Sequence, residues 1–247
     1  NNPVFSTSAF TNIAENQRAV GTAAATDADG SALTFTLAGA GADNGLFSIT
    51  TGGVITFDAA PDFEDPKGSS SDNSNTYEIT VNVNDGTTDV VQAHTIAVVN
   101  VNESPVITGG DTATATFAEN TSALTTVIDV AHSDADVSDT ITYSLSGSVD
   151  DDLFAIVGGT GVVTFKAAPD FETKLGGTGN DSNDYEIEVT ASDGSLTDTQ
   201  TITISVTNAN EAPVITGGDT ATANFVENAT GTVCLLYTSP SPRDEKV

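Results

Sequence analysis

The feature that most constrains this chain is an internal repeat of about 108 residues. Pro61-Asp62-Phe63-Glu64 returns as Pro169-Asp170-Phe171-Glu172, and Ser74-Asn75-Thr76-Tyr77-Glu78-Ile79 returns as Ser182-Asn183-Asp184-Tyr185-Glu186-Ile187. Asn100-Val101-Asn102-Glu103-Ser104-Pro105 returns as Asn208-Ala209-Asn210-Glu211-Ala212-Pro213. Glu15-Asn16 recurs as Glu119-Asn120 and again as Glu227-Asn228. Self-similarity at one interval means an array of similar modules, each with its own core. The 247 residues divide into repeat 1 (1–103), repeat 2 (104–211) and the opening of a third (212–233). Residues 234–247 match neither repeat, hold the only cysteine, Cys234, and read as a foreign tail. A genomic read carrying that tail in frame would contradict this.

Within a repeat the hydrophobic period is two. Tyr77, Ile79, Val81 and Val83 alternate with Glu78, Thr80, Asn82 and Asn84; Ile202, Ile204 and Val206 alternate with Thr and Ser. Leu33–Leu37 and Ile141–Leu145 do the same. Such alternation marks half-buried strands. Asp29-Gly30, Gly52-Gly53, Asp85-Gly86, Gly158-Gly159 and Asp193-Gly194 punctuate them as turns. The reading is all-β: tandem Greek-key β-sandwiches of the immunoglobulin-like class, about seven strands each, with no convincing helix. Absent tryptophan and a lone cysteine argue against a true immunoglobulin domain.

Charge narrows the function. Six Lys and Arg face 35 Asp and Glu, a net charge of -29. No basic surface exists to neutralise phosphates, so nucleic acid is excluded as a partner. No apolar run reaches the ~20 residues of a membrane helix, so direct membrane insertion is not expected. With one cysteine no intrachain disulfide can form, and metal is the usual alternative staple.

The repeated positions are mostly acidic and fall at strand ends and linkers, as Asp-x-Glu, Asp-x-Asp and Asn-x-Asn-Glu before a proline. Oxygen ligands one residue apart can converge on a hard cation that takes six to eight of them. Ala14-Glu15-Asn16, Asp62-Phe63-Glu64, Asn100-Val101-Asn102-Glu103-Ser104-Pro105, Asp134-Ala135-Asp136 and Ser192-Asp193-Gly194 resemble the calcium motifs of cadherin repeats, most nearly the bacterial cadherin-like repeat of large surface and secreted proteins. The resemblance covers residues 1 to about 230.

It implies Ca²⁺ held between successive repeats. The complete junction would use Glu15, Asp62, Glu64, Asn100, Asn102 and Glu103 from repeat 1, and Asp134, Asp136 and Asp193 from repeat 2. Asn100 and Glu103 stand where animal cadherins usually carry Asp, so two or three ions are both compatible. Glu119, Asp170, Glu172, Asn208, Asn210 and Glu211 form one half junction, and Asp27, Asp29 and Asp85 another. Seven carboxylates at one junction would repel, each close pair at a cost of about 1–4 kcal/mol at effective dielectrics of 80 to 20.

Bland readings stand beside these. The acidic motifs could be a solubilising surface. Asp62/Glu64 as a hydrolytic pair is disfavoured by its recurrence in a structural repeat. His94 aligns with Ile202, and His132 is likewise unrepeated, so both read as incidental. Gly176–Asp181 reads as a loop, and Phe63 and Phe171 as core anchors. The functional expectation is a non-enzymatic, calcium-binding extracellular module of a bacterial surface protein. It would act in adhesion, homophilic adhesion included, or as a stalk. Its partners would be neighbouring repeats and other surface proteins or glycans. The alternatives are a carbohydrate-binding accessory module of a secreted polysaccharide-degrading enzyme, disfavoured by only 6% aromatics, and a passive spacer.

Overall fold

The computed structural model describes residues 1–39, 41–68, 74–177 and 181–213. Most of the expected third-repeat opening and all of the tail lie outside these residues, as does the centre of the Gly176–Asp181 loop. The chain divides into two compact units, Asn1–Asn102 and Glu103–Val247.

Among the described residues the first unit holds nine strands: β1 (Val4–Phe5), β2 (Ile13–Ala14), β3 (Ala19–Thr22), β4 (Ala25–Thr26), β5 (Thr34–Leu37), β6 (Phe47–Ile49), β7 (Val54–Phe57), β8 (Thr76–Asn84) and β9 (Asp89–Val99). The second repeats the plan: β10 (Val106–Ile107), β11 (Thr112–Ala118), β12 (Thr126–Asp129), β13 (His132–Ser133), β14 (Thr142–Leu145), β15 (Phe154–Ile156), β16 (Val162–Phe165), β17 (Asp184–Ser192) and β18 (Thr197–Thr207). Among the described residues there is no α-helix, only two short 3₁₀ turns at Asn44–Leu46 and Asp151–Leu153.

Each unit pairs a four-stranded sheet with a three-stranded one and a two-stranded ribbon. The first has β2-β9-β8-β5, β3-β7-β6 and β1-β4; the second has β11-β18-β17-β14, β12-β16-β15 and β10-β13. Nine pieces arise from the seven expected runs because two runs are shared between partners. The stretch from residue 19 to 26 pairs first with β7 and then with β1, and it breaks where it changes partner. The run before it is split in the same way, between β4 and β9.

The period-two alternation lands on the sheets as read. Tyr77, Ile79, Val81 and Val83 on β8, and Ile202, Ile204 and Val206 on β18, are buried. The Asp85-Gly86 and Asp193-Gly194 turns close the β8–β9 and β17–β18 hairpins with Gly86 and Gly194 at φ 95° and 99°, a region only glycine enters freely. In each core a Tyr meets two Phe rings edge-on. Tyr77 lies 6.0 and 5.2 Å from Phe47 and Phe57, and Tyr185 lies 5.8 and 5.4 Å from Phe154 and Phe165. Edge-to-face pairs contribute about 0.5–1.5 kcal/mol beyond burial. Phe63 and Phe171 are half-buried against their respective cores.

The units differ at one edge. In the second, β11 runs parallel to β18 over seven residue pairs, Thr112↔Thr201 to Ala118↔Thr207. In the first, β2 meets β9 over two, Ile13↔Val98 and Ala14↔Val99.

Candidate metal centre

Each unit gathers its Glu-Asn, Asp-x-Glu and Asn-x-Asn motifs at one end. The sequence makes the Glu-Asn dipeptide a sharp turn: Asn16 and Asn120 adopt φ 61° and 59°, a left-handed region that Asn tolerates better than most residues. Their amides donate to the carbonyls of Pro61 and Pro169, at 2.9 and 3.0 Å. The turn aims the preceding glutamate inward. Glu15 and Glu119 are each only 2% exposed.

Glu15 clasps two segments. Its Oε2 accepts from the Phe63 amide at 2.8 Å and its Oε1 from the Val101 amide at 2.8 Å. Glu119 repeats this on Phe171 at 2.9 Å and Ala209 at 2.7 Å. Asp62 Oδ1 accepts from the amides of Glu64 and Asp65, both at 3.0 Å, and Asp170 Oδ1 from those of Glu172 and Thr173, at 2.9 and 3.1 Å. Asn100 donates its side-chain amide to Glu64, and Asn208 to Glu172, each at 2.9 Å. Asn120 donates to Glu211. The result is two equivalent triads, Glu15/Asp62/Glu64 and Glu119/Asp170/Glu172, each offering carboxylate oxygens within 4.8 Å of one another. The crowding has an electrostatic signature at Glu172. Its carboxyl is held above the usual range, first by desolvation and then by the charges of Glu119, Glu211 and Asp170. Asn102 and Asn210 are exposed.

A second set sits with the Asp-x-Asp motifs. In the second unit Asp134 Oδ1 accepts from the Asp136 amide at 3.0 Å, and Asp136 Oδ2 accepts from the Glu103 amide at 2.9 Å. Asp193 Oδ1 accepts from the amides of Ser195 and Leu196 in the hairpin turn. In the first unit Asp27 Oδ1 accepts from Asp29 and Ser31 at 3.0 and 3.2 Å, and Asp29 meets the N-terminus and side chain of Asn1. Asp85 Oδ1 accepts from the Thr87 hydroxyl and from the Thr87 and Thr88 amides, which hold its carboxyl below the usual range.

The first aspartate of both motifs has an unsatisfied oxygen. Asp27 Oδ2 and Asp134 Oδ2 are shielded from solvent and have no hydrogen-bond partner. A carboxylate oxygen taken out of water is normally paired. Two equivalent exceptions in two repeats fit a cation as the missing partner. The donors are oxygens alone, the chemistry of a hard cation such as Ca²⁺.

Repeat matching passed over Asp139, because Ala32 stands at the equivalent place. Its carboxyl is held above the usual range by desolvation and then by Asp136, Asp134 and Asp193, so it faces the same cluster. The Asp-x-Asp-x-x-Asp spacing was its only signal. Two other buried acids do different work: Asp43 accepts from the Glu78 amide at 2.7 Å, and Asp150 from the Glu186 amide at 2.8 Å. These tie the 3₁₀ turns to β8 and β17.

Comparison with known proteins places this architecture. The cadherin domain model matches residues 113–207, and the bacterial Ig domain model matches residues 1–99. The mouse protein Protocadherin Fat 4 is 33% identical over 140 residues, 54% of this chain. The chain spans only 3% of that relative's length. Among solved structures, human Protocadherin-24 EC1-2 is similar with a TM-score of 0.57 at 20% identity, over 84% of this chain and 99% of that one. Human CDH23 EC21-23 is similar with a TM-score of 0.58 at 18% identity, over 97% of this chain and 79% of that one. The class is thus a tandem of immunoglobulin-like β-sandwiches. More narrowly, the second unit matches the cadherin domain and the first the bacterial Ig domain, and the two family matches together support a cadherin-like tandem repeat. Cadherin domains as a family are extracellular adhesion modules that bind Ca²⁺ and are generally non-enzymatic. Among the described residues no helix is long and apolar enough to cross a membrane.

Proposed function

We propose that this chain is a calcium-stiffened adhesion or stalk segment of a bacterial surface or secreted protein, with Ca²⁺ bound where one repeat follows the next. The observation that carries the reading is the recurring buried, unpartnered Oδ2 of Asp27 and Asp134. The ligand set of the junction is Glu15, Asp62, Glu64, Asn100, Asn102, Glu103, Asp134, Asp136 and Asp193, to which Asp139 is added. Connectivity supports the pairing of these sets. Asn100 bonds to Glu64 in the first unit, Glu103 bonds through its amide to Asp136 in the second, and two residues separate them in sequence.

Here the chain's own residues orient and preorganise. The clasps on Phe63, Val101 and the Asp62 turn fix carboxylates before any cation arrives, and bound Ca²⁺ supplies the positive charge that lets them coexist. Extracellular calcium modules bind with Kd of roughly 10⁻⁴–10⁻³ M, so such a site fills outside a cell and empties in the cytoplasm.

Calorimetric titration with CaCl₂ tests the assignment. Asp134→Ala should weaken binding at least tenfold while the core transitions of both units persist. A titration identical to the parent chain's contradicts the ligand set.

A further inference from the structure

His94 on β9 stands out against its surroundings. It is 4% exposed, and neither ring nitrogen has a hydrogen-bond partner. Its ring is covered by Phe10, centroids 5.0 Å apart, and by Phe5 at 6.1 Å, edge-on at 71°. Both phenylalanines belong to the first dozen residues. The polar ties of residues 4–12 run to residues 22–26: the two-residue ribbon β1–β4, Ser6 and Thr7 donating to the Ala24 carbonyl at 2.8 and 3.3 Å, and Thr7 Oγ1 accepting from the Ala24 amide at 2.8 Å and donating to the Thr22 carbonyl at 3.4 Å; residues 6–12 form no ladder with β9. In the second unit the corresponding β11 is zipped along β18, and Ile202 replaces the histidine.

The charge balance around the ring is one-sided. β1, β4, β5 and residues 6–12 carry no ionisable side chain. β8 carries Tyr77, which packs against Phe47 and Phe57, and Glu78, which is exposed; the cross-strand partner of His94 is Ile79. Asp89 lies five residues away at the far end of β9, bonded to Asn82 and Asn84. A buried imidazolium would therefore have no counter-charge and no acceptor.

We propose that His94 is an acid-operated latch on the N-terminal segment of the first unit. Protonation makes its aromatic cover unfavourable, and residues 4–12 let go of β9. Burial lowers the His94 pKa, with no other contribution. The sign follows. A depressed histidine leaves the closed form fully stable above about pH 6.5, the unperturbed value, and weakens it as pH falls below that value. Between the lowered value and about pH 6.5 each pH unit raises the open population by up to about tenfold.

Hydrogen exchange of the 247-residue chain at pH 7.5 and 5.5, corrected for intrinsic rates, tests this. Residues 4–12 should exchange faster at pH 5.5 than at pH 7.5, by up to about tenfold, relative to 112–118 and 201–207, and His94→Ile should remove the gain. Equal protection at both pH values, or a gain that survives in His94→Ile, overturns the latch. Should that variant fail to fold, NMR titration of the parent chain decides, because it holds only two histidines. His94 should stay neutral below pH 6.5 and lose its Phe10 contacts as it protonates. Protonation with those contacts intact refutes the proposal.

Discussion

Glu119→Ala separates what this carboxylate does for the fold from what it does for a cation. In EDTA no ligand role remains, and the loss is that of two hydrogen bonds from backbone amides to a buried charge, Phe171 at 2.9 Å and Ala209 at 2.7 Å. Bonds to charged groups contribute about 1.5–3 kcal/mol each, and an orphaned amide costs about 1–3 kcal/mol. Two effects offset part of this: water can reach the amides from the exposed Asp170 side, and repulsion with Asp170 and Glu172 is relieved. The net destabilisation should be about 2–4 kcal/mol, which lowers the Tm of a unit this size by about 8–20 °C. Differential scanning calorimetry in EDTA reads it. Glu15→Ala should shift the first unit's transition by a similar amount and leave the second's alone, as expected of independent cores. Glu119→Gln should fall between, because its amide nitrogen cannot accept the second bond. A shift under about 3 °C in the metal-free Glu119→Ala chain would refute the clasp as a structural device.

Two further substitutions probe other parts of the account. Asp139→Asn should stabilise the metal-free second unit at pH 7 and weaken calcium binding. Because the Asp139 carboxyl is held above its ordinary 3.8, the parent chain should recover relative to the variant as pH falls toward that value, and thermal melts in EDTA from pH 7 to 4 check this. Gly161→Ala should unfold the second unit while sparing the first: at φ 76° an added Cβ would lie 2.3 Å from the Val130 carbonyl oxygen, and calorimetry should lose one transition.

Much of this was legible in the chain because repetition filters signal from accident. Alternation on β8 and β18 fixed which faces are buried, and the duplicated Asp-Gly turns located the hairpins. What repetition cannot filter is what occurs once. Asp139 has Ala32 as its counterpart, so its place in the acidic cluster emerges only when β14 and the Asp-x-Asp loop are folded together. His94 read as incidental because Ile202 replaces it, yet Phe5 and Phe10 are what give it an environment, and they lie over eighty residues away in sequence. Glu-Asn was read as a ligand motif alone. Its asparagine serves a left-handed turn that period-two patterning cannot announce. The splitting of seven runs into nine strands was likewise hidden, since a change of partner leaves no mark on hydrophobic alternation.

Small-angle X-ray scattering of the 247-residue chain in 5 mM CaCl₂ and in EDTA tests the central claim directly. Divalent cations that neutralise the clustered oxygens should narrow the distribution of interatomic distances and fix its maximum, and chelation should broaden it. Superimposable profiles in the two buffers would mean that calcium does not set the relation between the two modules.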